Sequence, residues 1–347
     1  MQNENLISKA ADQEDSLLRL VYLTAFCISQ YGGTQFRCSK PFNPILGETF
    51  EMRSDSWNFI AEQVSHHPPI SACHVDSKKY ELWANSHLKT KFWGKSLEFK
   101  PLGNINFRFK DNDDQFVCNR PNSLVQNIII GNMYIDHSGD ATVINKRTNE
   151  SALIKFKALG FFQNKKNRGK IQAIIHDGEG KEVYEVFGKW TESIFYRKYG
   201  NKKDEGTLIW EFPAIPDDWE SIYHFTEFTL QLNMLNKQLE SRLPLTDCRF
   251  RTDQRMLENG QHKQANDEKQ RLEEKQRRSR KRMEAQGLEY KPRYFYKYED
   301  ESQPTQNEEV VEYRSLNNYW AKREKQEWEG LPDLFGPDSE GNSDEDQ

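Results

Sequence analysis

Glu62-Gln63-Val64-Ser65-His66-His67-Pro68-Pro69 sets two adjacent imidazoles directly before two prolines. Pro68 biases His67 away from the helical region, and neither proline can join a ladder through its own nitrogen, so the histidines are predicted at the end of a strand. There they can donate hydrogen bonds into a cleft. The chain around this point reads as strand over a long distance. From about Trp57 to Trp210 the pattern alternates, as in Lys89-Thr90-Lys91-Phe92-Trp93, Ile105-Asn106-Phe107-Arg108-Phe109 and Ala152-Leu153-Ile154-Lys155-Phe156. Turns are expected at His137-Ser138-Gly139-Asp140, Lys146-Arg147-Thr148-Asn149 and His176-Asp177-Gly178-Glu179-Gly180, where Gly and Asn supply positive φ. This spacing predicts a large antiparallel sheet. So many short strands tend to close into a barrel, which removes edges and leaves room for a ligand. The Phe and Trp residues of this region are assigned to the core.

Helices are expected at both ends. Asp12 to Tyr31 has carboxylates in its first turn, apolar Leu17, Leu18, Val21, Phe26 and Ile28, and Gly32-Gly33 as a stop. Beyond Pro213, Phe225, Phe228, Leu232 and Leu235 fall near helical spacing, and Asn266 to Ala285 is almost free of β-branched residues. Glu299 to Glu312 is polar and expected to be a loop, and Gly336 to Gln347 lacks the apolar surface needed to fold.

Composition narrows the class. The 347 residues suffice for one large domain or two ordinary ones. Mean hydropathy is −0.94, and apolar runs such as Ile128-Ile129-Ile130 are far too short to cross a bilayer. No secretory signal opens the chain. Five scattered cysteines, without a Cys-x-x-Cys pair, argue for a reducing, cytoplasmic compartment and against structural zinc. The net charge of −5 conceals a basic stretch from Glu268 to Arg282 and an acidic tail from Asp338 to Asp346.

Two further motifs accompany the histidine run: Lys40-Pro41-Phe42-Asn43-Pro44-Ile45-Leu46-Gly47-Glu48, preceded by Phe36-Arg37-Cys38-Ser39, and the stretch Pro244 to Gly260. The latter carries Thr246-Asp247, Arg249, Arg251, Asp253, Arg255 and Leu257-Glu258-Asn259-Gly260. Together with Glu62 to Pro69 they resemble the hallmark motifs of the oxysterol-binding protein family of lipid-transfer proteins, in order, from about Leu6 to about Phe335. The stretches Phe36 to Glu51 and Lys269 to Arg280 look most like the family's namesake. The resemblance implies a β-rich α+β fold: a large incomplete antiparallel β-barrel enclosing a lipid tunnel, with helices at the N-terminal and C-terminal ends, over residues 1–335, followed by an acidic tail over 336–347. Family members also carry a lid before the first helix. With barely a dozen residues before Asp12, the expectation is a domain without that lid, or a partial sequence.

By the same resemblance Lys40, Phe42, Asn43, His66, His67, Lys269, Glu273 and Arg277 are expected to hold the headgroup of phosphatidylinositol 4-phosphate. The two histidines and Arg277 would grip the ring phosphate, and Lys40 with Phe42-Asn43 the diester phosphate. The chemistry is coherent, since a phosphate monoester of about −1.5 to −2 charge wants several cationic donors. Lys269, Glu273 and Arg277 are four apart and share one helix face. A sterol, or phosphatidylserine, would compete for the same tunnel, and exchange between organelle membranes would follow. The protein would act without a cofactor, as a peripheral membrane protein.

Plainer readings stand beside this one. A histidine pair at a strand end can be a satisfied structural feature, the Lys40 loop a proline-stiffened connection, and four-residue charge spacing the ordinary dress of an exposed helix. Zinc is disfavoured because neighbouring side chains on extended backbone point apart and no carboxylate or thiol cluster completes a shell. The basic helix suits an anionic membrane better than nucleic acid, because it lacks interleaved aromatics. A phosphatase is disfavoured by the absence of a Cys-x5-Arg loop and of a metal-binding carboxylate cluster, whereas a phosphoinositide-binding scaffold without transfer stays open.

Overall fold

The computed structural model of the chain describes residues 1–37, 40, 42–159, 165–299 and 311–337. Cys38, Ser39, Pro41, most of the expected Glu299 to Glu312 loop and the acidic tail from Asp338 lie outside the described residues.

Two helices open the chain where the sequence predicted one. Helix α1 (Asn5–Ala11) buries Leu6, Ile7 and Ala10, and Asp12 closes it rather than starting a helix. Helix α2 (Ser16–Ser29) begins where the Asp15 carboxylate accepts from the Leu17 amide at 2.9 Å, an N-cap that fixes the start four residues later than expected. Ten of its fourteen residues are buried, so it runs through the core rather than over it. Phe26 meets Phe107 edge-on at 5.8 Å, and the buried Arg19 is held by Asp111 (2.7 Å) and Asp114 (3.3 Å). Each large apolar side chain buried this way contributes about 1.5–3 kcal/mol. Gly32 follows because a Cβ there would lie 2.9 Å from the Phe212 ring.

Fourteen strands then form one antiparallel sheet: β1 (Thr49–Arg53), β2 (Trp57–His66), β3 (Pro69–Ser77), β4 (Tyr80–Phe92), β5 (Ser96–Leu102), β6 (Ile105–Phe109), β7 (Gln115–Cys118), β8 (Asn122–Gln126), β9 (Tyr134–Asn145), β10 (Ser151–Phe156), β11 (Lys170–His176), β12 (Glu182–Lys189), β13 (Ser193–Lys198) and β14 (Thr207–Glu211). Alternation sets the faces: Ile105, Phe107 and Phe109 of β6 and Ala152, Ile154 and Phe156 of β10 point into the core. Part of the sheet closes on itself. The first half of β4 pairs with β6 and the second half with β5, and the two branches meet again at β9 through β7 and β8. The strand order ends at β1 and β14, so the barrel is incomplete.

One expected turn is not a turn. His137 to Asp140 lies inside β9, which stays extended while exchanging β8 for β10 as its neighbour, and Gly139, at φ 96°, takes up the bend. The other two expected turns join β9 to β10 and β11 to β12.

Only two short helices follow the sheet, α3 (Glu227–Gln231) and α4 (Lys237–Glu240), before α5 (Thr252–Glu258) and the long α6 (His262–Ala285). Only Ala265 and Leu272 of α6 are buried. The helix is polar nearly all round and is laced by Lys269–Glu273 (3.1 Å), Arg271–Glu268 (2.6 Å) and Arg280–Glu284 (3.2 Å) pairs. A two-stranded sheet of β15 (Phe295–Tyr298) and β16 (Glu312–Ser315) leads to α7 (Tyr319–Lys325). Tyr319 and Arg323 lock α7 onto β1 by sharing the buried carboxylate of Glu51, at 2.6 and 2.9 Å.

Candidate functional site

The site forms where three segments meet at one end of the sheet: the loop after α2, the β2–β3 turn and one face of α6. Backbone bonds splice the first two. Gly47 donates to the Gln63 carbonyl (2.9 Å), and Gln63 donates to the Glu48 carbonyl (2.8 Å). Gly47 sits at φ 82°, and a Cβ there would lie 2.8 Å from the Arg293 guanidinium and 2.9 Å from the Tyr290 hydroxyl, so only glycine fits.

Buried charge fixes the loop. Arg251 donates to the Asn43 carbonyl (2.7 Å), to Glu48 (2.9 Å) and to Asp253 (2.7 Å), while the Ile45 amide donates to Glu48 (2.7 Å). The downstream motif thus has a supporting role. Thr246 bonds Thr49 at 2.9 Å, and Arg249 reaches the Glu51 carbonyl. Glu62 supports the other side, accepting from the Tyr290 hydroxyl (2.8 Å) and the amides of Arg293 and Tyr294 (both 2.9 Å).

On this frame the cations converge. Lys40 donates to the Asn43 side chain at 2.5 Å, and the Phe42 ring has the Arg251 guanidinium 5.8 Å and the Lys269 ammonium 5.9 Å from its centre. Lys40 is held below the ordinary lysine range, first by burial and then by repulsion from Arg37, Lys269 and Arg251. Crowded cations that weaken one another's charge mark a place suited to an anion.

His66 and His67 form the second cluster. Their rings lie 4.4 Å apart, so they do not point apart as extended backbone would have them; the chain is already turning there. Gln276 on α6 accepts from the Leu46 amide (2.7 Å) with its oxygen and turns its amide nitrogen to His66 at 3.0 Å. Only a neutral imidazole can receive that hydrogen. Burial, His67 and Arg280 all lower the pKa of His66, and Glu273 opposes them. Glu273 therefore joins the clusters, paired with Lys269 on one side and facing His66 on the other. Arg277, also expected here, pairs with Glu274 at the helix surface, and Arg280 is the guanidinium that bears on His66. Gln276 escaped the sequence reading and Arg280 entered it only as part of the basic helix, although both lie on the face that continues from Lys269 and Glu273.

The histidines line a cleft of about 430 Å³ with Leu46, Arg280, Met283 and Tyr290. A cleft of about 620 Å³ beside it shares Leu46, Arg280, Met283 and Tyr290 and adds Lys275, Gln276 and Arg293. Ala25, Phe26 and Ile28 are buried in the core around α2. Among the described residues no cluster of His, Cys, Asp and Glu is arranged to hold a metal ion, and no helix is long and apolar enough to cross a membrane.

The chain is similar to known proteins over most of its length. The family model described as oxysterol-binding protein matches residues 1–324. Human oxysterol-binding protein-related protein 6 is 39% identical over 307 residues, 87% of this chain and 32% of that protein. Mouse oxysterol-binding protein-related protein 3 is 40% identical over 305 residues, 87% of this chain and 35% of that protein. The chain thus spans about a third of the length of these relatives. Among solved structures, the Osh1 ORD domain in complex with cholesterol has a TM-score of 0.86 at 32% identity, covering 96% of this chain and 82% of that one. The Osh3 ORD in complex with PI(4)P, from Saccharomyces cerevisiae, has a TM-score of 0.82 at 27% identity, covering 96% and 85%.

Proposed function

This chain belongs to the oxysterol-binding protein family, and from that premise we propose that it holds one lipid at a time, phosphatidylinositol 4-phosphate in competition with a sterol, and exchanges them between membranes. The observation that carries the proposal is the convergence of Lys40, Lys269 and the histidine turn, from three separate segments, on one end of the sheet. Lys40, Phe42 and Asn43 suit the diester phosphate, while His66, His67 and Arg277 suit the ring phosphate. Arg277 would leave Glu274 to do so. His66, while accepting from Gln276 at one ring nitrogen, would carry its hydrogen on the other and donate it to the monoester. The complexes of Osh1 with cholesterol and Osh3 with PI(4)P support two cargoes on one scaffold. No step requires bond breaking, and the reading is non-enzymatic.

The test is extraction of labelled phosphatidylinositol 4-phosphate from liposomes, comparing wild type with His66→Ala/His67→Ala. Each charge-assisted bond contributes about 1.5–3 kcal/mol, so losing two lowers affinity more than about a hundredfold. Equal extraction by both proteins overturns the headgroup assignment. Adding sterol or phosphatidylserine as competitor identifies the second cargo.

A further inference from the structure

The β4–β5 hairpin and the β8–β9 connection lie side by side and carry apolar side chains that the core does not use. The Ile128 amide donates to the Lys95 carbonyl (3.3 Å), and Ser96 is in register with Gln126, which ties the two tips together. Phe92 and Trp93, assigned to the core by their alternation, are 60% and 55% exposed. On the neighbouring tip Ile129 is 68% and Ile130 84% exposed, with Met133 at 44%. Five large apolar groups therefore face water on two adjoining loops. Isolated exposed apolar residues need no explanation, but a contiguous set does.

Register shows which end of the sheet they occupy. Ile70 pairs with His87 and His66 with Pro69, so Pro69 is level with Leu88, and β4 continues four residues further to Phe92. At about 3.3 Å per residue the tips project on the order of 10 Å past the histidine turn, at the same end of the strands. Charge is arranged around them. The exposed Lys89, Lys91 and Lys95 flank the aromatic tip, the Lys91 ammonium lies 3.8 Å from the centre of the Trp93 ring, and residues 127–133 carry no charge. Glu98, the acidic neighbour on the hairpin, accepts from the Trp93 indole N–H at 2.8 Å.

We propose that this double tip is a docking surface for an anionic bilayer, inserting Phe92, Trp93, Ile129 and Ile130 below the headgroups while the lysines engage lipid phosphates. The apolar groups stand on projecting loops rather than lining a groove, a shape that suits a deformable lipid surface. Lysines around a tryptophan are the composition that such an interface selects. The inference rests on the lipid-exchange reading for its purpose: the docked tips would bring the histidine turn to the surface from which a headgroup is drawn.

Sedimentation with vesicles of phosphatidylcholine and phosphatidylglycerol, free of phosphoinositide, sterol and phosphatidylserine, tests the surface without offering the headgroup site any of its proposed cargoes. Phe92→Ser/Trp93→Ser/Ile129→Ser/Ile130→Ser is expected to reduce vesicle partitioning at least tenfold while keeping wild-type affinity for soluble short-chain phosphatidylinositol 4-phosphate. Lys91→Gln/Lys95→Gln, which leaves the apolar tips intact, is expected to lose on the order of fivefold per lysine, and the loss to shrink as salt rises. His66→Ala/His67→Ala is expected to bind these vesicles like wild type, so failure of the headgroup site and failure of the docking surface give different results. Wild-type partitioning by both tip variants, or no binding by wild type, overturns the proposal. So does a wild-type dimer in light scattering that the serine variant converts to monomer, which would assign the tips to a second copy of the chain.

Discussion

Gln276→Ala tests whether the site is positioned by α6 or merely borders it. The Gln276 side chain makes two bonds, accepting from Leu46 at 2.7 Å and donating to His66 at 3.0 Å, and it is the direct hydrogen-bonded link between the Lys40 loop and the histidine turn through this helix. A neutral hydrogen bond contributes a net 0.5–1.5 kcal/mol, so the pair represents about 1–3 kcal/mol. Both partners border open clefts, where water replaces part of the loss, which leaves about 1–2 kcal/mol. If that energy holds the loop and the histidines ready for the ligand, its loss falls on binding, as the cost of ordering them again. Affinity for soluble short-chain phosphatidylinositol 4-phosphate, measured calorimetrically, should drop about 5- to 30-fold. The His66 titration followed by NMR should move upward, because a donor usable only by the neutral ring has gone. Affinity within twofold of wild type, with His66 unmoved, would refute the positioning role.

Two predictions concern the frame. His137 is buried between Thr34 (2.9 Å) and Ser123 (3.1 Å), and burial, helped by Arg168, brings its pKa down to about 3. A histidine with a depressed folded-state pKa contributes stability that is complete above its ordinary 6.5 and is lost as pH falls from there towards 3. Between pH 6.5 and pH 5 the wild type should therefore lose about 2 kcal/mol that His137→Gln does not, read from urea unfolding at both pH values. Arg251→Met should cost about 3–5 kcal/mol, because it strands the carboxylates of Glu48 and Asp253 in the interior, and it should weaken headgroup binding as the Asn43 carbonyl comes free. Thermal unfolding and the same calorimetric titration check both.

The features legible in the sequence were those written in short-range pattern. The proline pair placed His66 and His67 at a strand end, alternation found β6 and β10 with their correct faces, and four-residue spacing put Lys269 and Glu273 on one helix face. Where long-range partners decided, the pattern misled. Phe92 and Trp93 alternate like core residues, but β4 runs past the layer that would cover them, and nothing local signals where a neighbouring element ends. Gly139 carries a turn residue's chemistry, yet the strand holds because its neighbours take over from one another at that point. Helix α1 is too short for a period to show, and its burial in the core makes it stable.

The division of labour within the three motifs follows from burial. Lys40, His66 and His67, with Lys269 on α6, keep some exposure, while Glu48, Glu62, Arg251 and Asp253 are buried and bond to one another or to backbone amides. Substituting an accessible cation removes an attraction for ligand and leaves the frame intact. Removing a buried carboxylate orphans several donors at once, as at Glu62, where Tyr290, Arg293 and Tyr294 all depend on one side chain. Loss of binding without loss of stability should therefore separate headgroup residues from supporting ones. By that criterion Arg277→Ala, at the surface and paired with Glu274, is expected to lower headgroup binding without loss of stability, whereas Arg251→Met, 5.8 Å from the Phe42 ring centre, is expected to lower both.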